Sequence, residues 1–310
     1  MIICCGEALM DMLPRSFEDG RTAYLPTPGG AIFNTAIALG RLEEKTAFFS
    51  GLSTDAFGKQ LITQLEDSGV STVYCVRSPN PTTLAFITLE DGIAQYNFLD
   101  ENSAIRTLTI DALPSFPPSV RALHFGAISL IPESCGAVFE ELTQRMREKA
   151  VISLDPNIRP GFITDEPAYR KRLCHMIAMS DIIKISEEDL DWIEPGGRFE
   201  HVAQNWIDGG ASVVTLTKGE EGSRSITRRD DIVVPAAPAK VVDTVGAGDA
   251  YNAGFLSSLR ASGTLSKAGI RKIDQNTLRL AIDFGSRVAA YTVARAGANP
   301  PWRKDLEPMQ

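Results

Sequence analysis

The sequence predicts a doubly wound α/β protein with a mostly parallel central sheet flanked by helices, and three observations lead to that prediction. Short, almost wholly apolar runs alternate with longer amphipathic segments. Strands that are apolar throughout are typical of a parallel sheet covered on both faces. The composition, 44% hydrophobic and 23% charged over 310 residues, is that of a globular protein and excludes intrinsic disorder.

Six apolar runs are the predicted strands of this sheet, and most are followed by a segment of helical character. The helical period is clearest where Val138, Leu142 and Met146 fall on one face and charged residues on the other. That segment, 138–147, is the expected form of a crossover helix between parallel strands. The predicted strands cover residues 2–5, 47–51, 122–125, 151–154, 181–185 and 212–216.

One stretch departs from the alternation of strand and helix. The runs TTLAFITL and AQYNFL lack helical period and are separated by Glu90-Asp91-Gly92, which indicates a hairpin. Residues 11–28 are also extended and are expected to add strands to it. We predict one domain spanning 1–310, with a small antiparallel β flap or lid inserted from roughly 11–28 and 80–108. An ordinary edge hairpin is the alternative.

Charge limits the classes of partner. The formal charge is 31 − 39 = −8, without any block of Lys and Arg, which argues against nucleic acid or an anionic membrane surface as partner. No apolar run reaches the roughly 20 residues of a membrane helix. The N-terminus has no basic leader, and we expect a cytoplasmic protein.

The segment DTVGAGDAYNAGFL carries the clearest chemical signal. It follows a β-rich stretch and opens a helical run, so Gly246, Ala247 and Gly248 fall at a helix N-terminus. Unpaired N–H groups and the helix dipole make such a turn an anion site. Asp249 by itself is a common first-turn residue. Next to an anion site, its carboxylate suits a reaction in which a hydroxyl loses a proton while charge develops on phosphate.

Two other phosphate-binding motifs do not fit the sequence. The dinucleotide fingerprint needs a third glycine where Tyr251 stands. A P-loop needs Gly-Lys followed by Ser or Thr, and the single Gly-Lys pair is followed by Gln60. Both motifs are therefore excluded.

DTVGAGDAYNAGFL resembles the C-terminal signature of the ribokinase-like sugar kinases, the PfkB carbohydrate kinases. Gly29-Gly30-Ala-Ile-Phe-Asn34-Thr-Ala-Ile-Ala-Leu-Gly-Arg-Leu42 resembles their N-terminal signature. The two occur in the order of the family and span nearly the whole chain. Their joint occurrence is highly specific, whereas the Gly-x-Gly-Asp core alone is not.

The resemblance implies ATP-dependent phosphorylation of a sugar hydroxyl with Mg²⁺. Asp249 matches the catalytic base, and the turn Gly246, Ala247 and Gly248 matches the anion hole for the transferred phosphoryl group. Carboxylates and amides suit sugar hydroxyls, which both donate and accept hydrogen bonds. The matching sugar-binding residues at the N-terminal end are Asp11, Gly29, Gly30 and Asn34.

The nucleotide and cation sites are carried over in the same way. Ser186-x-x-Asp189 stands where the family often has Asn-x-x-Glu, and implies an Mg²⁺ contact through water at Asp189. A local capping role is the alternative. A monovalent cation such as K⁺ is implied at Asp243, Val245 and Gly297, although Pro301 replaces a serine of some relatives. The implied nucleotide-binding residues are Lys184, Ser186, Thr217, Lys218, Gly219, Gly222, Gly246 and Gly248.

The choice of sugar depends on two segments. Residues 96–104, which include Phe98, and the element Asp155-Pro-Asn157-Ile-Arg159 resemble the family members that phosphorylate fructose. Kinases of 2-keto-3-deoxygluconate share much of the second element. Because Asp100 and Glu101 would repel a sugar acid, neutral fructose is favoured. Phe98, Asn157 and Arg159 are therefore expected to contact the sugar.

The predicted reaction is fructose plus ATP giving fructose 6-phosphate and ADP. Alternatives are a 2-keto-3-deoxygluconate kinase, another sugar or nucleoside kinase of the family, and a non-catalytic sugar or nucleotide sensor. A nicotinamide-dependent oxidoreductase is disfavoured by the missing fingerprint. The lid, with its exposed sheet face, is expected to form a homodimer.

Overall fold

The computed structural model describes residues 1–90 and 93–306. The strands in these ranges are β1 (Ile2–Cys5), β2 (Leu9–Ser16), β3 (Thr22–Gly29), β4 (Thr46–Phe49), β5 (Gly51–Ser53), β6 (Val70–Ser71), β7 (Val76–Ser78), β8 (Leu84–Glu90), β9 (Ile93–Leu99), β10 (Ala122–Gly126), β11 (Val151–Asp155), β12 (Ile182–Ser186), β13 (Val213–Thr217), β14 (Ser223–Ile226) and β15 (Asp231–Val234). The helices are α1 (Ala31–Arg41), α2 (Ala56–Asp67), α3 (Glu133–Met146), α4 (Glu166–Met179), α5 (Glu187–Ile193), α6 (Phe199–Asp208), α7 (Ala247–Ala261), α8 (Lys267–Ile270) and α9 (Gln275–Val293).

The main sheet contains nine strands within the described ranges, in the order β15-β14-β13-β12-β11-β10-β1-β4-β6. All pairings from β13 to β6 are parallel, while β14 and β15 add an antiparallel edge. Each of the six predicted strands overlaps a strand of the parallel part, with ends shifted by at most two residues. The last residue of the run 47–51 belongs instead to β5, which pairs with β7 in a separate two-stranded sheet. The predicted fold class, a doubly wound and mostly parallel sheet between helices, is confirmed.

Alternate residues of the strands supply two apolar cores, one on each face of the sheet. In β1, Ile3 and Cys5 pack on the side that holds Phe139 of α3, together with residues of α4 and α6. Ile2 and Cys4 face the other side, with residues of α1, α2, α7 and α9. Each large apolar side chain buried in this way contributes about 1.5–3 kcal/mol. Among the helices in the described ranges, none is both long and apolar enough to cross a membrane.

A second sheet, which we call the lid sheet, has the strand order β3-β2-β8-β9. The β2–β3 and β8–β9 hairpins are antiparallel, and β2 pairs with β8 in parallel. The strands come from the two segments that the sequence predicted to form an antiparallel flap. The predicted turn at Asp91-Gly92 lies outside the described residues. That the chain is one domain with an inserted lid stays a prediction.

Candidate active site

A cavity of about 470 Å³ opens at the carboxyl-terminal edge of the parallel strands. It lies near β1 and β10. These strands are neighbours in the sheet, although β4 comes between them in the sequence. Ligands of open α/β sheets bind at such a switch in strand order. The lining residues are Glu7, Leu9, Asp11, Gly30, Ala31, Asn34, Phe98, Ala127, Ile128, Asn157, Ile158, Arg159, Lys184, Ser186, Glu188, Asp189, Thr217, Thr244, Val245, Gly246, Ala247, Gly248 and Asp249.

Helix α7 presents the predicted base to this cavity. It begins after Gly246, whose φ of 77° is left-handed, and no side chain in the described ranges caps its first turn. The Ala247 N–H donates to the Thr244 carbonyl oxygen at 3.2 Å, which leaves the N–H groups of Gly248 and Asp249 for a ligand. The helix dipole favours an anion there. Asp249 lies in the same turn with 7% of its surface exposed. Burial raises the pKa of its carboxyl to about 7.

Two side chains of α1 bind Asp249. Asn34 Nδ2 donates to Asp249 Oδ2 at 2.9 Å, and Thr35 Oγ1 donates to the Asp249 carbonyl oxygen at 3.3 Å. The Asn34 hydrogen bond favours the charged carboxylate and so opposes the rise of its pKa. Within the described part of the chain, Asp249 Oδ1 has no hydrogen-bond partner, which leaves this oxygen for a ligand hydroxyl.

A second carboxyl, Asp11, reaches the cavity from β2, and burial raises its pKa to about 6. Gly29 is outside the lining but lies against this carboxylate, so that any side chain at position 29 would collide with Asp11. Gly30, the N-cap of α1, does line the cavity with a φ of 108°. The two glycines therefore allow the lid sheet and α1 to approach the same ligand space.

A buried cation lies close to the anion-binding turn. Lys184 Nζ donates to Asp155 Oδ2 at 3.0 Å, and Asn252 Nδ2 donates to the same oxygen at 2.7 Å. A Cβ on Gly248 would come within 3.0 Å of Lys184 Nζ. Burial lowers the pKa of Lys184, but the carboxylates of Asp155 and Asp189 outweigh it and the net shift is upward. The cavity therefore holds a charged ammonium group next to the first turn of α7.

The segment after β11 brings Asn157 and Arg159 to the cavity. Asn157 has a left-handed φ of 42°. Arg159 Nη1 donates to the carbonyl oxygens of Asn157 and Ile158 at 3.3 and 3.0 Å. Phe98 of the lid sheet packs edge-on against Phe162, with ring centroids 4.7 Å apart. A lid strand and this segment therefore meet at the cavity.

Ser186 and Asp189 form a capping box at the start of α5. Ser186 Oγ accepts the Asp189 N–H at 3.1 Å, and Asp189 Oδ2 accepts the Ser186 N–H at 3.0 Å. Asp189 Oδ1 accepts the N–H of Ile158 at 2.7 Å. Both carboxylate oxygens of Asp189 therefore orient backbone, and a metal contact would use their remaining lone pairs.

Comparison with known proteins identifies the family. The sequence profile of the pfkB family carbohydrate kinases matches residues 1–305. The chain belongs to this family. A fructokinase of Rhizobium leguminosarum bv. trifolii is 48% identical to the kinase over 279 residues, which are 90% of this chain and 86% of the relative.

Solved structures agree with the assignment to this family. The structure of a fructokinase from Xylella fastidiosa with bound ATP has a TM-score of 0.88 and 28% identity, covering 96% of the kinase and 93% of that chain. A fructokinase from Vibrio cholerae O395, solved with fructose, ADP and a calcium ion, has a TM-score of 0.83 and 26% identity. Its match covers 96% of the kinase and 94% of that chain.

Six predicted ligand residues lie outside the cavity lining, Gly29 among them. Lys218, Gly219 and Gly222 belong to the turn between β13 and β14, and Lys218 Nζ is 3.1 Å from a Glu221 oxygen and 3.5 Å from a Glu187 oxygen. This turn follows Thr217, which does line the cavity.

Asp243 and Gly297, the other two residues outside the lining, are joined by a hydrogen bond. Asp243 Oδ2 accepts the N–H of Gly297 at 2.8 Å, and Oδ1 accepts the N–H of Val245 at 3.0 Å. Val245 lines the cavity. The two loops implied to hold a monovalent cation are therefore adjacent.

Sequence reasoning assigned no role to three buried polar residues of the kinase, Glu7, Asp155 and Asn252, although Asp155 belongs to an element that it singled out. Glu7 and Asp155 each stand at the carboxyl-terminal end of an apolar strand, where ligands of such sheets bind. Asn252 follows Asp249 by three residues on α7 and shares its face. These positions are the sequence signals that could have indicated a role in the site. None of them identifies the residue with which the side chain forms a hydrogen bond.

Asp100 does not face the cavity, so the charge argument built on Asp100 and Glu101 is wrong. Asp100 is buried and accepts hydrogen bonds from Thr83 Oγ1 at 2.6 Å, Ser103 Oγ at 2.8 Å and Arg106 Nε at 2.6 Å. The local turn satisfies its charge, and Glu101 is outside the lining as well. The carboxyls that line the cavity are instead those of Glu7, Asp11, Glu188, Asp189 and Asp249.

Proposed function

We propose that this carbohydrate kinase is a fructokinase that transfers the γ-phosphoryl group of ATP to the 6-hydroxyl of D-fructose. The products are fructose 6-phosphate, ADP and a proton. The observation that carries the proposal is the meeting of Asp249, Asn34 and the uncapped first turn of α7 in one cavity. The 48% identical relative, which is named a fructokinase, supports the choice of sugar.

Asp249 is the proposed general base. Its Oδ1 takes the proton of the attacking hydroxyl, while Asn34 keeps Oδ2 bound. A carboxyl with a pKa of about 7 is matched to proton transfer near neutral pH. Because phosphoryl transfer depends on positioning and charge neutralisation, a fixed base beside an anion site meets its requirements.

The anion hole is proposed at the turn Gly246, Ala247 and Gly248, where the N–H groups of Gly246 and Gly248 would stabilise charge on the transferred phosphoryl group. The Ala247 N–H instead donates to the Thr244 carbonyl oxygen and holds the turn in shape. Lys184 adds a positive charge beside Gly248, and Asp155 holds this ammonium in place. Ser186 and Thr217 line the cavity on the nucleotide side. The turn with Lys218, Gly219 and Gly222 continues this wall toward the rest of ATP.

Magnesium fits the site as an ion held largely by phosphate and water. Asp189 keeps lone pairs free beyond its two backbone hydrogen bonds, and Glu188 lines the cavity next to it. Mg²⁺ in kinases is commonly bound by one or two carboxylates, water and substrate phosphates. When bound, it would neutralise charge on the phosphates. A monovalent cation is proposed between the loops of Asp243, Val245 and Gly297.

A neutral sugar is favoured by the carboxyls of the cavity. Asp11 and Asp249 would repel the carboxylate of 2-keto-3-deoxygluconate, whereas the hydroxyls of fructose can donate to them. The proposed sugar contacts are Asp11, Gly29, Gly30, Asn34, Phe98, Asn157, Arg159 and Asp249.

The lid sheet is proposed to close over the sugar and exclude water, which protects ATP from hydrolysis. Phe17, Tyr24 and Leu25 are exposed apolar residues on β2–β3 and its turn, and they suit a homodimer contact. All five cysteines are free thiols, which agrees with a reducing compartment such as the cytoplasm.

An ADP-release assay tests this function. Fructose, ribose, tagatose, adenosine and 2-keto-3-deoxygluconate are compared with MgATP in excess, and fructose is expected to give the highest kcat/KM. A higher kcat/KM for the sugar acid or for adenosine would identify that compound, and not fructose, as the preferred substrate. Calorimetric binding of fructose without turnover by the folded protein would instead support a sensor.

A further inference from the structure

Glu7 is a buried carboxyl of the cavity wall for which the proposed chemistry has no role. It follows β1 and is 2% exposed. Its Oε1 accepts the backbone N–H of Ile32 at 3.3 Å. Its Oε2 is buried and has no hydrogen-bond partner among the described residues. Burying such a group is costly, which calls for a compensating function.

The partner of Glu7 lies in the first turn of α1. The N-cap residue of this helix is Gly30, which has no side chain that could accept a hydrogen bond from the first turn. An oxygen acceptor at the uncapped end of a helix satisfies an otherwise unpaired N–H group, and a negative charge there also interacts favourably with the helix dipole. The contact is close: a Cβ on Gly30 would come within 3.1 Å of the Glu7 carbonyl oxygen. Glu7 therefore caps α1 from the turn that follows β1.

The same turn of α1 orients the residue that binds the base. The N–H of Asn34 donates to the carbonyl oxygen of Gly30 at 2.8 Å. The Asn34 side chain donates to Asp249 Oδ2 at 2.9 Å. Glu7, the start of α1, Asn34 and Asp249 thus form a continuous series of contacts.

We propose that Glu7 is a positioning residue for phosphoryl transfer, which holds the first turn of α1 so that Asn34 fixes the carboxylate of Asp249. The proposal rests on the proposed role of Asp249 as base. Small displacements of a catalytic group are expensive, because transfer requires the reacting atoms to be aligned.

The state of Glu7 suggests a matched substitution. Burial raises the pKa of its carboxyl to about 7, and the charge of Asp249 adds to the rise. The nearby Ser129 hydroxyl opposes this rise, because its interaction favours the charged carboxylate. A protonated Glu7 accepts at one oxygen and donates at the other, as glutamine does. Glu7→Gln should therefore preserve the cap.

The kinetic test compares Glu7→Ala, Glu7→Gln, Asn34→Ala and the double variant Glu7→Ala/Asn34→Ala with wild type. We expect Glu7→Ala to lower kcat by about 10-fold to 100-fold with little change in the KM for ATP. Glu7→Gln should restore most of kcat, and the double variant should be no slower than Asn34→Ala. Failure of glutamine to rescue, or losses that multiply in the double variant, would overturn the proposal.

Hydrogen exchange supplies a readout that needs no substrate. In Glu7→Ala the peptide covering the first turn of α1 should exchange faster than in wild type, whereas Glu7→Gln should leave it protected. Unchanged exchange in Glu7→Ala would contradict the proposal even if activity falls. If Glu7→Ala does not fold, Glu7→Asp, whose shorter side chain is too short to reach Ile32, takes its place. Wild-type turnover of fructose in the same assay tests the proposed function separately.

Discussion

Asn34 and Asp249 are 215 positions apart in the sequence, yet the amide of one donates to the carboxylate of the other at 2.9 Å. The bond joins the first turns of α1 and α7, two helices that pack against each other on one face of the sheet. Each N-terminus thereby points into the same cavity. The two segments that resemble family signatures at opposite ends of the chain are thus one structural unit.

Replacement of Asp249 tests the proposed base. Asp249→Asn should lower kcat with fructose by about 10²–10⁴-fold, because the amide is unable to take the proton of the hydroxyl. The KM for ATP should change little. ADP release with purified protein measures the effect, and a thermal unfolding temperature no lower than that of wild type would exclude misfolding. Residual activity near the wild-type level would assign the proton transfer to another group.

The raised pKa of Asp249 predicts opposite pH dependences for activity and stability. With a folded pKa of about 7 and an unfolded value of about 3.9, the native state binds more protons between these limits. The free energy of unfolding therefore falls as pH rises from about 4 to 7, while kcat/KM rises because the base becomes ionised.

Urea unfolding and initial rates across pH 5–8 measure the two trends. Asp249→Asn should flatten the fall in stability, and Glu7, whose pKa is also about 7, should account for part of the slope that remains. Stability that rises with pH over this interval would mean that these carboxyls are ionised in the native state.

Lys184 is predicted to neutralise phosphate charge. Lys184→Met should lower kcat/KM for ATP by about 10²–10³-fold, since a buried ammonium beside the anion hole acts where little water screens it. It also leaves Asp155 buried with one partner fewer, and should reduce stability. Lys171→Met, at an exposed position of α4, is the matched control. Similar kinetics for the two variants would remove Lys184 from the phosphate site.

A comparison of alanine substitutions at Gly246 and Gly263 distinguishes the effect of backbone strain from damage to the anion hole. Gly246→Ala places a side chain at φ 77°, where Ala298 also stands in its way. Gly263→Ala meets nothing at nearly the same φ, 74°. Both should lose about 1 kcal/mol of stability from the left-handed backbone. Only Gly246→Ala should also lose activity, and equal rates for both variants would show that the turn need not keep its geometry.

The main sheet was predictable because apolar runs of strand length are visible in a linear sequence. The run at 47–51 was predicted as one strand, but the chain ends β4 at Phe49 and begins β5 at Gly51, which pairs with β7 instead. β14 was missed, since its sequence SRSI lacks the continuous apolar pattern of the parallel strands. β15 lies at the start of the β-rich stretch before the anion-binding turn, but its antiparallel pairing with β14 was not predicted.

The residues of the anion-binding turn could be predicted from the local sequence, whereas the hydrogen-bond partners of the residues around it could not. A glycine-rich helix start predicts an anion site wherever it occurs. That Lys184 pairs with Asp155, and that Glu7 reaches Ile32, depends on which strands become neighbours. Such pairings between distant positions carry no periodic signal. The prediction for Asp100 was wrong because a charged residue in a predicted lid was assumed to face the ligand, whereas neighbouring residues bind it.

The lid sheet has a further consequence for how motion of the lid could be recorded. The two hairpins share only three pairs of residues, from Met10–Leu84 to Met12–Phe86. Beyond this common base, the β2–β3 hairpin, which we call the finger, forms no further strand pairs with β8 among the described residues, although Tyr24 packs edge-on against Phe86. The turn around Phe17–Arg21 closes the finger on itself. A fluorescent label or short peptide inserted there would therefore travel with the finger and leave the shared base intact.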